Sequence, residues 1–491
     1  MPRIFKRLFG AMVLSSAITM PAFTQGAAAM NISLADALRL AAGVSHAVRS
    51  ADAGVLRARG MQSQARAQYF PQLTASAGYQ RTLQSQFQEI SKRDQPSGGS
   101  SGGGSDTSSS GTDFGSIGKI FASPVTQTIA LNFSQSIFTA GRLRASNAAA
   151  GAARTAADIG LDAARAQMVL DVAQAYYDAV AAGQLAEIAD STLAQAERSL
   201  LHTSLAYEVG SASEFDMLRA RVARDNQRPV VIQSRGNRSV AMLRVRQLLG
   251  IPLSQQIALT TTIRDEGAAV AAGPMTLDRV IEIPGTDRTV MPDTSATRRS
   301  SVRQAAANVT AQRAALRAAN WQRLPSLQVT SAYQRFGYPT DGAVFPNSLG
   351  LFYPNWTVTA GFSFPLLTGG RLTGDRLVAE ANLTEAEESL AQAREFAALD
   401  ASTAVVQLEQ SQAAYAASVG TDEQAAKAYS IAEVRQQEGI STQVELQQAR
   451  TQYEQARLNR VVAARDLELA RLKVALLKDL PLTPTTTTSR R

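Results

Sequence analysis

The 491-residue chain contains no cysteine and only two histidines, His46 and His202. The absence of cysteine excludes a thiol nucleophile, a cysteine metal cluster, a disulfide framework and a lipid-modified cysteine anchor. Two isolated histidines are a poor basis for a metal site, and the ten methionines form no cluster. Also missing are a phosphate-cradling glycine loop, a dinucleotide-binding glycine fingerprint, a His-Glu-x-x-His pair and a Gly-x-Ser-x-Gly elbow. An enzyme is therefore not expected, nor is a cofactor or a bound metal. Beyond the N-terminal stretch there is no run of about 18 apolar residues, which excludes a transmembrane helix.

What is present begins at the N-terminus. Arg3, Lys6 and Arg7 precede an apolar run from Leu8 to Phe23, followed by Ala27, Ala28 and Ala29. A basic region, a short apolar core and an Ala-x-Ala site form the order of a secretory signal peptide, expected to span 1–29. Its removal takes away three basic residues and no acidic ones, so the formal net charge falls from +8 to +5. The remaining charges are spread along polar faces rather than clustered, and nucleic acid is not an expected partner.

An internal repeat organises the rest. FPQLTASAGYQR from Phe70 and LPSLQVTSAYQR from Leu324 share Pro, Leu and a closing Tyr-Gln-Arg at an offset of 254 residues. FSQSIFTAGRL from Phe133 and FSFPLLTGGRL from Phe362 match at an offset of 229. VGSASEFDMLRAR from Val209 and EGISTQVELQQAR from Glu438 match at 229 again, so Gly141 to Gly210 and Gly370 to Gly439 are both 69 residues. The change of offset leaves 25 extra residues in the first half, where the Gly/Ser-rich tract Pro96–Gly111 lies. That tract reads as a long loop inside one repeat rather than an interdomain linker. The expected organisation is a first repeat over 30–250, a connecting region over 251–296, a second repeat over 297–480 and a disordered tail over 481–491.

Four segments alternate between apolar and polar residues. Leu73, Ala75, Ala77 and Tyr79 alternate with Thr74, Ser76, Gly78 and Gln80; Ile129, Leu131 and Phe133 do the same with Thr128, Asn132 and Ser134. In the second half the apolar positions are Leu327, Val329 and Tyr333, then Trp356, Val358, Ala360, Phe362 and Phe364. Period-two alternation over about ten residues suits a transmembrane β-strand with one face to lipid and one to a lumen.

Between these strands lie long proline-free, alanine-rich stretches. From Arg142 to Val209 a seam of Met168, Val172, Ala175, Ala179 and their successors to Leu200 repeats at alternating spacings of three and four. A second seam runs from Leu446 to Leu477, with Arg460 as its one interruption. Sustained heptads predict coiled-coil packing, and alanine lets the backbones approach closely. Pro71 and Pro325 each follow a helical segment and open a strand, because proline lacks an N–H and pushes its predecessor out of the α region. Gly141 and Gly370 mark the bend from strand back to helix, and Gly210 and Gly439 the helix returns. Pro229 predicts a kink or break in the return helix of the first half.

Each half therefore supplies two strands, four per chain. Open sheet edges are not tolerated in lipid, and bacterial barrels start at about eight strands. Several copies must share one barrel. The fold class that follows is an α+β membrane protein: a shared transmembrane β-barrel with four strands per chain, continued by long helical coiled coils.

These features, in this order and spacing, resemble the TolC-type outer membrane factors. The likeness covers nearly the whole chain after the signal, from SLADALRLA at Ser33 to Leu480. It rests on the two halves, the FPQL and LPSL strand starts, the paired Thr-x-Gly-Arg-Leu junctions and the paired glycine-led returns. The resemblance implies a homotrimer in the outer membrane of a Gram-negative bacterium. It further implies a twelve-stranded barrel and an α-helical tunnel across the periplasm, the exit duct of a tripartite efflux or type I secretion system. The implied partners are further copies of the chain, a periplasmic adaptor, an inner-membrane pump and outer-membrane lipid. It also implies an aperture where the returns converge, constricted by acidic side chains, which places Asp216 and Glu445 there, each six residues after its glycine. Ser213 and Thr442 precede them by three, so both acids also suit helix capping, and capping alone or capping with an aperture role are both open. Where the family pattern has a second acid, this chain has Gln448, and Arg219 in the other half. The alternative function is a periplasmic coiled-coil adaptor without a pore, which would have helical hairpins but no membrane strands.

Overall fold

A computed structural model describes residues 30–83, 125–263, 281–282, 289–290, 295–338 and 352–482. The signal segment, the Gly/Ser-rich tract, much of the 251–296 connection and nearly all of the tail lie outside the described residues.

The chain opens with β1 (Met30–Ile32), α1 (Leu34–Val44) and α2 (His46–Ala67). Then come β2 (Gln72–Arg81), β3 (Val125–Phe138), α3 (Arg142–Glu208), α4 (Glu214–Leu249) and the short strands β4 (Ile257–Leu259), β5 (Ile281–Glu282) and β6 (Thr289–Val290). The second half repeats the order with α5 (Ser300–Trp321), β7 (Ser326–Gly337), β8 (Phe352–Ser363), α6 (Arg371–Gln437) and α7 (Gln443–Leu476). The two long helices, α3 and α6, have 67 residues each, about 100 Å at 1.5 Å per residue.

β2, β3, β7 and β8 form one antiparallel sheet in that order. The register sets Ala75 opposite Leu131, Leu131 opposite Tyr333, and Tyr333 opposite Trp356. Directly opposed residues share a face, so the apolar sets of all four strands fall on one side. Thr74, Asn132, Ala332 and Thr357 mark the other, mostly polar face. The apolar face is uncovered: Trp356, Val358 and Phe362 are each about 70% exposed. β2 and β8 are the two edges, and neither has a partner strand among the described residues.

The strand-to-helix junctions require left-handed backbone. Gly141 has φ +88 and Gly370 φ +85, and each is the N-cap of its long helix. Arg142 and Arg371 close the bend identically, donating their backbone N–H to the carbonyls of Thr139 and Thr368 at 3.0 and 3.1 Å. The residue before each glycine is also left-handed, Ala140 at φ 52 and Gly369 at φ 55. Arg371 pairs with Asp375 one turn on, at 3.1 Å.

Halfway down, the helices are gathered into a waist. β1 pairs in parallel with β4, and the buried Tyr176 hydroxyl donates to the Ile32 carbonyl at 3.0 Å while accepting from the Thr261 N–H at 2.9 Å. The core here joins Ile32, Leu38, Tyr176, Leu249, Leu408 and Leu467. The first heptad seam is buried at Val172, Ala175, Ala179, Ala186, Ala189 and Ala196, but Ala173, Tyr176, Tyr177 and Ala181 are buried too. α3 is enclosed on more than one face because α1, α2, α4, α5 and α7 all pack against it along its length. The second seam is buried from Ala456 to Leu477, and its interruption, Arg460, reaches across to Asp422 of α6 at 2.7 Å. Asp178 lies 3.4 Å from Arg465, yet burial outweighs both Arg465 and Arg244 and pushes its carboxyl up from the ordinary value.

At the start of α5, Arg299 is completely buried and its Nη2 donates to Asp400 of α6 at 2.6 Å, with Lys473 of α7 3.8 Å from the same carboxylate. Ser300 bonds the carbonyls of Lys478 and Leu480, tying the start of the second half to its end.

Of the kink or break expected at Pro229, the break is not formed: α4 runs from Glu214 to Leu249 with Pro229 inside it. Proline leaves the carbonyl of residue 225 without its intrahelical partner, but both positions are exposed, where water can take the bond.

Candidate functional site

The two helix returns at the end furthest from the sheet are built alike. α3 ends with Gly210 at φ +76 and α6 with Gly439 at φ +73. In the first return the N–H of Ser211 bonds the carbonyl of Ala206 at 2.8 Å, and in the second Ile440 bonds Arg435 at 2.9 Å. The glycine N–H groups bond Tyr207 and Gln436 at 2.9 and 3.1 Å. These paired bonds are a Schellman closure, which needs a left-handed residue at the glycine position. Neither glycine has a neighbour that a Cβ would touch, so backbone conformation alone selects it.

The acids sit just beyond. Ser213 caps α4, accepting from the Asp216 N–H at 3.2 Å, and its hydroxyl donates to Asp216 Oδ2 at 2.6 Å. Thr442 caps α7, accepting from the Glu445 N–H at 3.3 Å, while the Glu445 carboxylate accepts instead from Ser441. Both carboxylates therefore complete helix N-termini and leave further oxygen lone pairs open to solvent. Gln448 and Arg219 follow one turn on at matched positions. Apolar side chains surround the returns: Val209 is 79% exposed, Phe215 70% and Ile440 69%.

The two returns differ in how they are held. The second is bolted to α3: Gln443 Nε2 donates to Ser199 Oγ at 3.0 Å, and the buried Arg450 donates to the Thr192 carbonyl while its Nε holds Glu454 at 2.8 Å. Above it Tyr429 stacks on Tyr453 with ring centroids 5.8 Å apart, and Arg457 lies over the Tyr453 ring at 5.6 Å. Burial, reinforced by Glu433, pushes the Tyr429 hydroxyl up from its usual value. The first return makes no comparable bond to α6 of its own chain among the described residues. The arginine clamp was absent from the sequence reading, although one signal for it existed: Arg221 and Arg450 are both the arginine of an Ala-Arg pair, 229 residues apart.

No group of three or more His, Asp or Glu side chains that could hold a metal ion occurs among the described residues, and no helix there is long and apolar enough to cross a membrane.

A four-stranded sheet with one uncovered apolar face, continued by paired long helices and ending in capped returns, is the protomer architecture of an outer-membrane channel. Solved structures share it. VceC of Vibrio cholerae superposes with a TM-score of 0.67 at 19% identity, over 90% of this chain and 95% of that one. The CmeC outer membrane channel of Campylobacter jejuni gives 0.68 at 16% identity, over 92% and 86%. The MtrE channel of Neisseria gonorrhoeae gives 0.65 at 20%, over 90% and 88%. The sequence profile of the outer membrane efflux proteins matches residues 37–251 and 291–477. The chain belongs to that family, and it is an outer-membrane protein. Two curated relatives from Pseudomonas putida, the probable efflux pump outer membrane protein SepC and the toluene efflux pump outer membrane protein TtgF, are each 27% identical over 269 residues. That stretch is 54% of this chain and 51% of each relative, so the chain spans about half the length of the curated relatives it matches.

Proposed function

We propose that the chain is the exit duct of a tripartite efflux pump: a passive homotrimeric channel, fed by an inner-membrane pump through a periplasmic adaptor. One observation carries this reading. The sheet has a continuous apolar face and two edges that have no partner strand among the described residues, a combination that suits lipid only if other copies close the ring. Three copies of a four-stranded sheet close a twelve-stranded barrel. The names of the relatives favour efflux over protein secretion, and the membrane strands disfavour an adaptor. In this reading residues 1–29 are the signal removed on export, the region 251–296 connects two structural repeats at the waist, and the tail follows residue 480.

The test is a deletion strain. Loss of the chain is expected to sensitise cells to apolar toxic compounds while protein secretion is unchanged, and the protein itself should migrate as a heat-modifiable trimer from the outer-membrane fraction. A monomer in periplasmic extract would sink the duct.

The returns then form the periplasmic aperture, with Asp216 and Glu445 as rings of carboxylates that favour cations. Asp216→Ala combined with Glu445→Ala should raise single-channel conductance in planar bilayers and reduce block by multivalent cations. Unchanged conductance and block would leave both residues as caps alone.

A further inference from the structure

A cavity of about 320 Å³ lies between α3, α4 and α7. Its floor is apolar, with Leu185, Ile188 and Ala189 of α3 and Leu458 of α7. Along one wall α4 presents Gln227, Gln233, Ser234 and Asn237. An apolar floor with a few polar groups at the rim is the usual make-up of a small-molecule site, and the volume falls at the small end of such sites.

The repeat gives the cavity its cause. Where α4 has Gln227 and Ser234, the matched positions of α7 are Ala456 and Ala463, both buried. Where α3 has Leu185 and Ile188, the matched positions of α6 are Ala414 and Ala417. The two departures run in opposite directions: α3 gains apolar surface, and α4 loses the small apolar residues that would close over it. An amide cannot enter an apolar groove without losing its water, so the polar side chains stay at the rim and the groove beneath is left unfilled.

Charge narrows what the cavity can take. Glu454 is the one charged lining residue, and Arg450 Nε already holds it at 2.8 Å while also donating to the Thr192 carbonyl. No lysine or arginine lines the cavity, so an anion would be desolvated there without a counter-charge. The rim amides each offer a donor and an acceptor. Ser234 donates to the Val231 carbonyl at 3.0 Å, which leaves its oxygen free to accept.

We propose that this cavity binds a small uncharged amphipathic molecule, an aromatic or alicyclic body with one or two hydrogen-bonding groups. Its body would lie on Leu185, Ile188 and Leu458 and its polar edge on the α4 amides. Bound there, it braces α4 against α7 across α3, and these are the two helices that leave the returns. Every lining residue belongs to one chain, so the site stands whether or not the duct reading does.

The absence of cysteine makes the test direct. Ser234→Cys puts a single thiol in the cavity of the full-length protein, and Ser239→Cys puts one on the exposed part of α4 outside the lining. The rate at which N-ethylmaleimide modifies each variant is measured with naphthol as the probe, uncharged at neutral pH. Naphthol should slow modification of Ser234→Cys to about a tenth at ten times its half-effective concentration, and leave Ser239→Cys unchanged. Naphthalene sulfonate, the same ring system with a fixed negative charge, should not protect. Adding Val230→Asp to Ser234→Cys brings a carboxylate to the cavity wall and should abolish the protection; Val230 is 46% exposed, so the helix keeps its fold. No protection, equal slowing of both thiols, equal protection by the two compounds, or protection untouched by Val230→Asp would each overturn the proposal.

Discussion

Asp400→Ala is expected to cost about 3–5 kcal/mol of stability, the usual penalty for leaving a buried charge without its partner. Arg299 has no exposed surface, and Asp400 is its carboxylate, 2.6 Å away. Two of its nitrogens, Nε and Nη1, have no hydrogen-bond partner among the described residues, so little remains to compensate the guanidinium once Asp400 is lost. The site sits where α5, α6 and α7 meet, so the second half should loosen as a unit. Urea titration of the helical circular dichroism in detergent reads the loss. Replacing the pair together, Arg299→Met with Asp400→Leu, removes both charges and should recover most of it. Lys473, a third exposed, then keeps its charge in water. Equal losses in the single and double variants would show that shape, not charge, decides the site.

Gly141→Ala should be clearly worse than Gly370→Ala, although both glycines have nearly the same positive φ. A side chain in the left-handed region costs about 1–2 kcal/mol at either position. At Gly141 the new Cβ would also lie 2.7 Å from Trp321 Cζ3, whereas at Gly370 nothing lies within 4 Å. Overpacking adds about 1–3 kcal/mol at Gly141 alone. The same denaturation measurement in a Trp321→Ala background isolates that part: the excess cost of Gly141→Ala should vanish there. An undiminished excess would refute the steric account. The repeat does not preserve the tryptophan: the residue at the position that matches Trp321 in the first half is Ala67.

The strands, the long helices and the left-handed glycines Gly141, Gly210, Gly370 and Gly439 were legible in the sequence because each obeys a period or recurs at a fixed offset. Alternation named the residues of the apolar face, and the register of the sheet brings those residues together. The waist was not legible. β1 and β4 have three residues each, too few for a period, and the tyrosine hydroxyl that bridges them is far away in the sequence. Arg299 stands beside Arg298 with nothing local to distinguish the buried arginine from the other. Pro229 does not end α4, because its position and that of the carbonyl it leaves unpaired both face water, which no local sequence signal shows. Capping at Asp216 and Glu445 could be read from spacing, but the acceptance of the Ser441 hydroxyl by Glu445 could not, since serine and threonine are adjacent there.

The equal length of α3 and α6 makes them a matched pair of rulers. One residue added to either would advance its return by about 1.5 Å and swing it by about 100° around the axis. The two turns would then lie at different depths and point in different directions. Reach below the sheet therefore changes without disturbing the seam only when both rods change together, by about seven residues or two turns, so the tip level is a property of the duplicated unit that no single-residue insertion retunes.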